Sequence, residues 1–182
     1  LEEPMPEKLK KMVVKDVSKV EDVVQGLDFV FSAVDMKKEE IKAIEEAYAK
    51  AEVPVVSNNS AHRWTEDVPM VVPEINPEHY KLIEKQRKRL GTKRGFIAVK
   101  PNCSIQSYAP ALAAWAEYEP YECVISTYQA ISGAGKNFET WPEMVGNIIP
   151  YIGGEEEKSE KEPLRVLGTY TEDGIKLKEG LV

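Results

Sequence analysis

Residues 28–57, DFVFSAVDMKKEEIKAIEEAYAKAEVPVVS, decide the fold of this chain. The run DFVFSAV at 28–34 is β-branched and aromatic with few charges, which is typical of a buried strand. The stretch 37–51 has apolar side chains at helical spacing among charged ones and predicts an amphipathic helix. VPVVS at 53–57 predicts a second buried strand. A strand, a helix and a strand within 30 residues form a βαβ unit, which indicates a parallel sheet.

The pattern changes near residue 100. Before it, a charged helix over 77–90 and a strand over 95–100 continue the α/β pattern. After it, a helix follows Asn102, with Pro110 predicting a kink or a late start. The remaining predicted elements are a long strand at 121–131, a glycine turn at 132–136, helices at 142–149 and 155–163, and a hairpin at 165–178. We therefore predict a boundary that divides the chain into domains 1–100 and 101–182.

Composition excludes several classes of protein. The formal net charge of −7 makes nucleic acid an unfavourable partner. No apolar run approaches the ~20 residues that span a membrane, and the charged opening is unlike a signal peptide. The two cysteines, Cys103 and Cys123, are expected to be free thiols of a cytoplasmic protein. Both ends read as cuts in a longer protein, since the first residue is Leu and the last segment stops abruptly.

Cys103 is the residue best placed for chemistry. It lies in KPNCSIQ, directly after a predicted strand and at the start of a predicted helix. Amide groups in the first turn of a helix stabilise an anion, so a cysteine there gains thiolate character. The alternative is a small buried apolar residue, which is a common role for cysteine. Cys123 lies within a predicted strand and is interpreted as structural.

Several other polar residues are candidates for a ligand site. Gln129 precedes the SGAG turn at the end of a predicted strand, where α/β proteins often bind ligands. Arg63 follows a parallel strand and could hold a phosphate with its planar guanidinium, although a loop arginine is usually solvated. Glu155 and Lys158 lie one helical turn apart and could form a paired site or an ordinary surface pair. The two histidines lack the spacing of a zinc site, so no metal is predicted.

Taken in order, the strings DFVFSAV, PVVSNNSAHRW, DVPMVVPEINPEH, KPNCSIQ, TYQAISGAGK and PYIGGEEEK resemble the aspartate-semialdehyde dehydrogenase family, nearer to its archaeal and fungal-like branch. The resemblance covers residues from about 28 to 160. It implies an α/β fold in which part of a Rossmann-like parallel-sheet domain precedes part of an α+β catalytic and dimerisation domain with a mainly antiparallel sheet. It also implies a homodimer or homotetramer for the whole protein.

The resemblance further implies a reaction, the NADPH-dependent reductive dephosphorylation of 4-phospho-L-aspartate to L-aspartate 4-semialdehyde. This reaction leads toward lysine, methionine and threonine. A cysteine thiolate attacks the acyl phosphate, phosphate leaves, and hydride from the nicotinamide reduces the resulting thioester. The thiol chemistry agrees with the local interpretation of KPNCSIQ.

The resemblance also assigns roles by position. Cys103 matches the nucleophile and Gln129 the residue that orients the substrate. Asn102 and Arg63 match phosphate ligands, and Glu155 and Lys158 match a pair that holds the substrate amine and phosphate. The positions that match the NADP site are Ser32, Ala33, Ser132 and Gly133.

The chain also departs from the family pattern. No glycine-rich phosphate loop of the family type occurs, and neither His62 nor His79 stands where the family has its catalytic histidine. We therefore expect the 182-residue chain to have little activity alone. Two other interpretations stay open: an enzyme similar to malonyl-CoA reductase, which takes a thioester instead of an acyl phosphate, and a non-catalytic dimerisation module.

Overall fold

A computed structural model describes residues 4–181 of the chain. Its centre is a three-stranded parallel sheet of β1 (Val30–Ser32), β2 (Val55–Ser57) and β3 (Ile97–Val99), in the order β1-β2-β3. The predicted βαβ unit is confirmed, and all three strands are shorter than the runs that predicted them.

The register brings the ends of the three strands to one edge of the sheet. Ser32 pairs with Ser57, and Ser57 pairs with Val99. Parallel strands point the same way, so the residues that follow each of them emerge together. The chain segment that leads to Cys103 follows β3 directly and therefore begins at this carboxyl edge.

Within residues 4–181, six α-helices accompany the sheet. They are α1 (Glu7–Lys10), α2 (Val20–Val23), α3 (Lys38–Lys50), α4 (Leu82–Leu90), α5 (Cys103–Ala114) and α6 (Glu155–Val166). Short 3₁₀ turns cover Pro77–Lys81, Ala116–Tyr118, Ile131–Ala134 and Pro142–Met144. The helix predicted from Pro77 thus starts as a 3₁₀ turn before α4. The late start suggested by Pro110 is wrong, because α5 begins at Cys103 with Pro110 inside it.

The apolar core lies between α3, the sheet and the segment that follows β2. Its buried members include Tyr48, Val55, Met70, Ile97 and Val166. Gly95 lets the end of α3 approach β3, since a Cβ at this position would collide with the carbonyl of Ala49.

The end of the described chain returns to this core. Helix α6 contributes Val166, and a hairpin of β4 (Thr169–Thr171) and β5 (Gly174–Lys176) follows it. The imidazole of His79 is buried beneath the hairpin and contacts the carbonyl oxygen of Gly168 at 3.0 Å. The predicted helix at 155–163 and the predicted hairpin are therefore confirmed, and the 100/101 domain boundary stays a prediction.

Two predicted elements are wrong. Residues 121–130 form no strand, and most of their side chains are exposed, Tyr128 at 92%. A strand needs a partner for its amide and carbonyl groups, and the structure pairs none of these residues in a ladder with any part of 4–181. The predicted helix at 142–149 is reduced to the single turn Pro142–Met144, since Gly146 adopts a φ of 69°.

Candidate active site

Cys103 is the first residue of α5, and its thiol is exposed. Asn102 caps the helix, because its side-chain oxygen accepts a hydrogen bond from the Ser104 amide at 2.9 Å. The same oxygen lies 3.6 Å from the Cys103 Sγ. The structure thus places the thiol where the sequence predicted it, at a helix N-terminus on the carboxyl edge of the sheet.

Glu155 brings three of the predicted site residues together. Its Oε1 accepts hydrogen bonds from Asn102 Nδ2 at 3.0 Å and from Lys158 Nζ at 2.7 Å. Its Oε2 accepts one from Gln129 Nε2 at 2.8 Å. Burial raises the pKa of the Glu155 carboxyl, but the donors Lys158, Gln129 and Asn102 outweigh burial, so that the pKa lies below its ordinary value.

Arg63 is buried beside this cluster. Its Nε donates to the carbonyl of Lys100 at 3.1 Å, and its Nη1 donates to Glu162 Oε1, also at 3.1 Å. A weaker contact of 3.5 Å joins Nη2 to the carbonyl of Asn58. The guanidinium has five N–H groups, so two of them are left over after these contacts.

The sequence interpretation missed two residues of this neighbourhood. Glu162 is 2% exposed, and its Oε2 accepts a hydrogen bond from the backbone amide of Asn102 at 2.7 Å. Lys100 is half-buried, and burial together with the nearby charge of Arg63 lowers the pKa of its ammonium. Lys100 directly precedes Pro101, Asn102 and Cys103 in the sequence, and this position could have marked it as a neighbour of the thiol. Glu162 lies in a run of charges that resembles a solvated helix face.

The residues predicted to line the cofactor site lie in two places. Ser32 is buried at the end of β1 and lines a cavity of about 460 Å³, whereas Ala33 is exposed. Ser132 and Gly133 belong to an exposed turn, in which Gly133 faces the side-chain oxygen of Gln129. The residues that line the cavity include Ser32 but not Ala33, Ser132 or Gly133, so the four-residue cofactor site stays a prediction.

A second polar cluster lies beside the cavity. Glu45, which is 2% exposed, accepts hydrogen bonds from Ser57 Oγ at 2.6 Å and from Asn59 Nδ2 at 3.1 Å. Its Oε2 is buried and has no hydrogen-bond partner among residues 4–181. A buried acceptor without a hydrogen bond costs free energy. A ligand hydroxyl that donated a hydrogen bond to this oxygen would remove that cost.

Residues 4–181 contain neither a cluster suited to a metal ion nor a helix suited to crossing a membrane. No group of three or more His, Cys, Asp and Glu side chains is arranged to hold a metal ion. None of the described helices has the length and apolar character that crossing a bilayer requires.

Comparison with known proteins gives matches over nearly the whole chain. Residues 1–83 match the family model described as semialdehyde dehydrogenase, NAD binding domain. The chain is 41% identical over 177 residues to an aspartate-semialdehyde dehydrogenase from Methanothermobacter thermautotrophicus, covering 94% of the chain and 48% of that relative. It is 38% identical over 177 residues to one from Aspergillus fumigatus, covering 96% of the chain and 48% of the relative.

A solved structure gives the same result for the fold. The chain superimposes on the aspartate-semialdehyde dehydrogenase from Candida albicans with NADP, with a TM-score of 0.78 and 32% identity. The match covers 98% of this chain and 50% of the Candida albicans chain. The chain thus spans about half the length of the curated relatives it matches.

Proposed function

The chain belongs to the aspartate-semialdehyde dehydrogenase family, and from this premise we propose that Cys103 is the nucleophile that accepts the acyl group of 4-phospho-L-aspartate. The observation that carries the proposal is the position of Cys103 on the first turn of α5, beside the cluster of Asn102, Gln129 and Lys158 around Glu155. A helix N-terminus stabilises a thiolate, and the cluster supplies charges of both signs for a substrate that carries both.

The first step is acyl transfer. The Cys103 thiolate attacks the acyl carbon, a bond forms between Sγ and that carbon, and the bond from the carbon to the phosphate oxygen breaks. The phosphate leaves with the electron pair of that bond, and a thioester stays on Cys103. Asn102 contacts the thiol, and Lys158 shares the Glu155 carboxylate with Asn102, so both are proposed to bind the departing phosphate.

Glu155 is proposed to hold the substrate ammonium. Its carboxylate is charged near neutral pH, because its hydrogen-bond donors outweigh burial and lower its pKa. Gln129, which donates to the same carboxylate, would orient the substrate against the thiol. The substrate would therefore replace some of the contacts that Glu155 makes within the chain.

NADP is the proposed cofactor, and when bound as NADPH it would supply the hydride that reduces the thioester to the aldehyde level. The bond between Sγ and carbon then breaks, the semialdehyde leaves, and Cys103 is restored. Ser32, at the carboxyl end of β1, and Glu45 are among the residues that line the cavity, and nucleotide ligands bind at the carboxyl ends of parallel strands in such folds. Their acceptor atoms suit the hydroxyl groups of a nucleotide ribose.

Incubation of the chain with 4-phospho-L-aspartate tests the acyl transfer. We expect phosphate release up to one equivalent of protein and a thioester on the peptide that contains Cys103. A Cys103→Ser variant should release no phosphate burst, whereas a Cys123→Ser variant should behave as the parent chain. Release from the parent chain that is unchanged by Cys103→Ser would contradict the proposal.

Malonyl-CoA in the same assay separates the acyl phosphate from the thioester as the natural acyl donor. We expect Cys103 to be acylated faster by the acyl phosphate, because the neighbouring Lys158 and Asn102 suit a phosphate leaving group. Faster acylation by malonyl-CoA would favour an enzyme similar to malonyl-CoA reductase.

A further inference from the structure

We propose that Glu162 is a positioning residue that fixes the first turn of α5, and with it the Cys103 thiol, against the guanidinium of Arg63. This inference rests on the proposed role of Cys103 as nucleophile. Glu162 lies on α6, 60 residues beyond Asn102 and 99 residues beyond Arg63. It therefore joins parts of the chain that no local interaction would hold together.

Both oxygens of Glu162 are used. Oε2 accepts the backbone amide of Asn102 at 2.7 Å, and Oε1 accepts Arg63 Nη1 at 3.1 Å. The carboxylate is 2% exposed and the Arg63 side chain 7%, so water does not replace either contact readily. Hydrogen bonds in which the donor or the acceptor is charged are stronger than those between neutral groups.

The local sequence of α5 explains why an outside carboxylate is needed. In a capping box, a Glu or Gln at the third helical position accepts the backbone amide of the N-cap residue. The third residue of α5 is Ile105, which is fully buried and cannot accept a hydrogen bond. Glu162 supplies the acceptor that Ile105 lacks, from a different helix.

The same carboxylate balances the charge of Arg63. The guanidinium cannot lose its proton, and burial without a partner would be costly. Arg63 in turn donates to the carbonyl of Lys100, three residues before Cys103. Glu162 and Arg63 therefore hold the turn from β3 to α5 at two points, Lys100 and Asn102.

Alkylation of Cys103 by iodoacetamide as a function of pH tests the role of Glu162. Glu162→Gln removes the charge and leaves one acceptor oxygen for two donors. Glu162→Asp keeps the charge but is too short to reach both partners. Glu160→Gln, an exposed position on the same helix, is the matched control. Peptide mapping gives the rates at Cys103 and Cys123 separately.

A positioning role and a purely electrostatic role of Glu162 predict opposite changes in the Cys103 alkylation rate of Glu162→Gln. If Glu162 positions the turn, the Cys103 rate at pH 7 falls severalfold, and half of the maximal rate is reached at a higher pH. If it acts only through its negative charge, removing that charge raises the rate at pH 7. The Cys123 rate and the Glu160→Gln profile should match those of the parent chain.

Glu162→Asp keeps the test decisive if Glu162→Gln does not fold, as judged by circular dichroism. We expect the same upward displacement of its Cys103 profile, because only the position of the carboxylate has changed. A Cys103 profile in either folded variant equal to that of Glu160→Gln would overturn the role of Glu162. If the alkylation rates of Cys103 and Cys123 in the parent chain depend on pH in the same way, the proposed role of Cys103 as nucleophile is overturned instead.

Discussion

The segments that lead to Cys103 and that surround Cys123 differ in strand pairing and in the burial of their side chains. Around Cys103, the strands are paired, and residues such as Ile97 are fully buried. Around Cys123, the side chains of Val124 and Tyr128 are 89% and 92% exposed, and residues 121–130 form no ladder. The same β-branched and aromatic composition thus gives a core strand in one region and an exposed segment in the other.

The difference teaches what a strand requires besides propensity. The βαβ crossover brings β1 and β2 together within 28 residues of chain, from Val30 to Ser57. Each strand then satisfies the hydrogen bonds of its neighbour. Residues 121–130 have strand-forming side chains but no such neighbour within 4–181, so their pattern has no structural consequence there.

The largest effect should come from truncating the core of the sheet. We expect Ile97→Ala to lower the free energy of unfolding by about 2–5 kcal/mol, because it leaves a cavity beside Val55 and Met70. Val124→Ala, in the exposed segment, should change it by no more than about 0.5 kcal/mol. Urea unfolding of both variants gives the two values, and equal losses would contradict the contrast between the regions.

A smaller loss is expected for the buried amide of Gln86. Its Nε2 donates to the carbonyls of Asp67 and Ile97 at 3.0 and 2.9 Å, and its Oε1 accepts the Ile97 amide at 2.6 Å. Gln86→Leu should cost about 3 kcal/mol, because it removes the partner of three backbone groups at about 1 kcal/mol each, the lower end of the cost of an unpaired buried group. Urea unfolding checks this value; a loss below that of Gln129→Ala would break the comparison.

Gln129→Ala should have a smaller effect of about 1 kcal/mol. It removes one hydrogen bond, to Glu155 Oε2, at a partly exposed position. Since this bond joins the exposed segment to the first turn of α6, amide hydrogen exchange at Glu155 and Lys158, whose amides donate to Ile152 and Gly154, should speed up in the variant. Ser126→Ala, at an exposed position of the same segment, is the control and should leave the exchange unchanged.

Acidification should destabilise the packed region gradually through His79. Its Nε2 donates to the Gly168 carbonyl, so in the neutral ring Nδ1 accepts from Asn76 Nδ2 at 2.9 Å. Burial lowers the pKa of His79 below its ordinary value of 6.5, although the Gly168 carbonyl and Glu78 oppose burial. The unfolded chain therefore binds the proton first, and stability is lost as the pH falls from 6.5 through the folded pKa.

Urea unfolding at a series of pH values measures this loss, and nuclear magnetic resonance of the imidazole follows its titration. His79→Gln should flatten the dependence of stability on pH below 6.5. A residual slope is expected from His62, whose pKa burial also lowers. An imidazole of His79 with a pKa above 6.5 would contradict the lowering of its pKa by burial.

The sequence allowed prediction of the elements whose signal is local. Strand, helix and strand at 28–57 were confirmed because their periodicity is complete within the segment. The helix at Cys103 was confirmed because a cap residue and an apolar face follow a strand directly. The strand predicted at 121–131 was wrong because pairing is not a local property.

The candidate site was predictable only in part for the same reason. The prediction named Cys103, Asn102, Gln129, Glu155 and Lys158, and the structure brings all five together. Their roles stay predictions. Glu162 was missed because its contact with Arg63 spans 99 residues, and a charged residue in a charged run gives no sign that it is buried.

The most direct test of the central claim compares the alkylation rates of Cys103 and Cys123 in the parent chain at pH 7 and at pH 10. An ordinary thiol has a pKa of about 8.5, so the rate ratio at pH 10 serves as the reference for differences in access. If helix α5 activates Cys103, the ratio of Cys103 to Cys123 at pH 7 should exceed the ratio at pH 10 severalfold. Equal ratios at the two pH values would contradict the claim that Cys103 is an activated nucleophile.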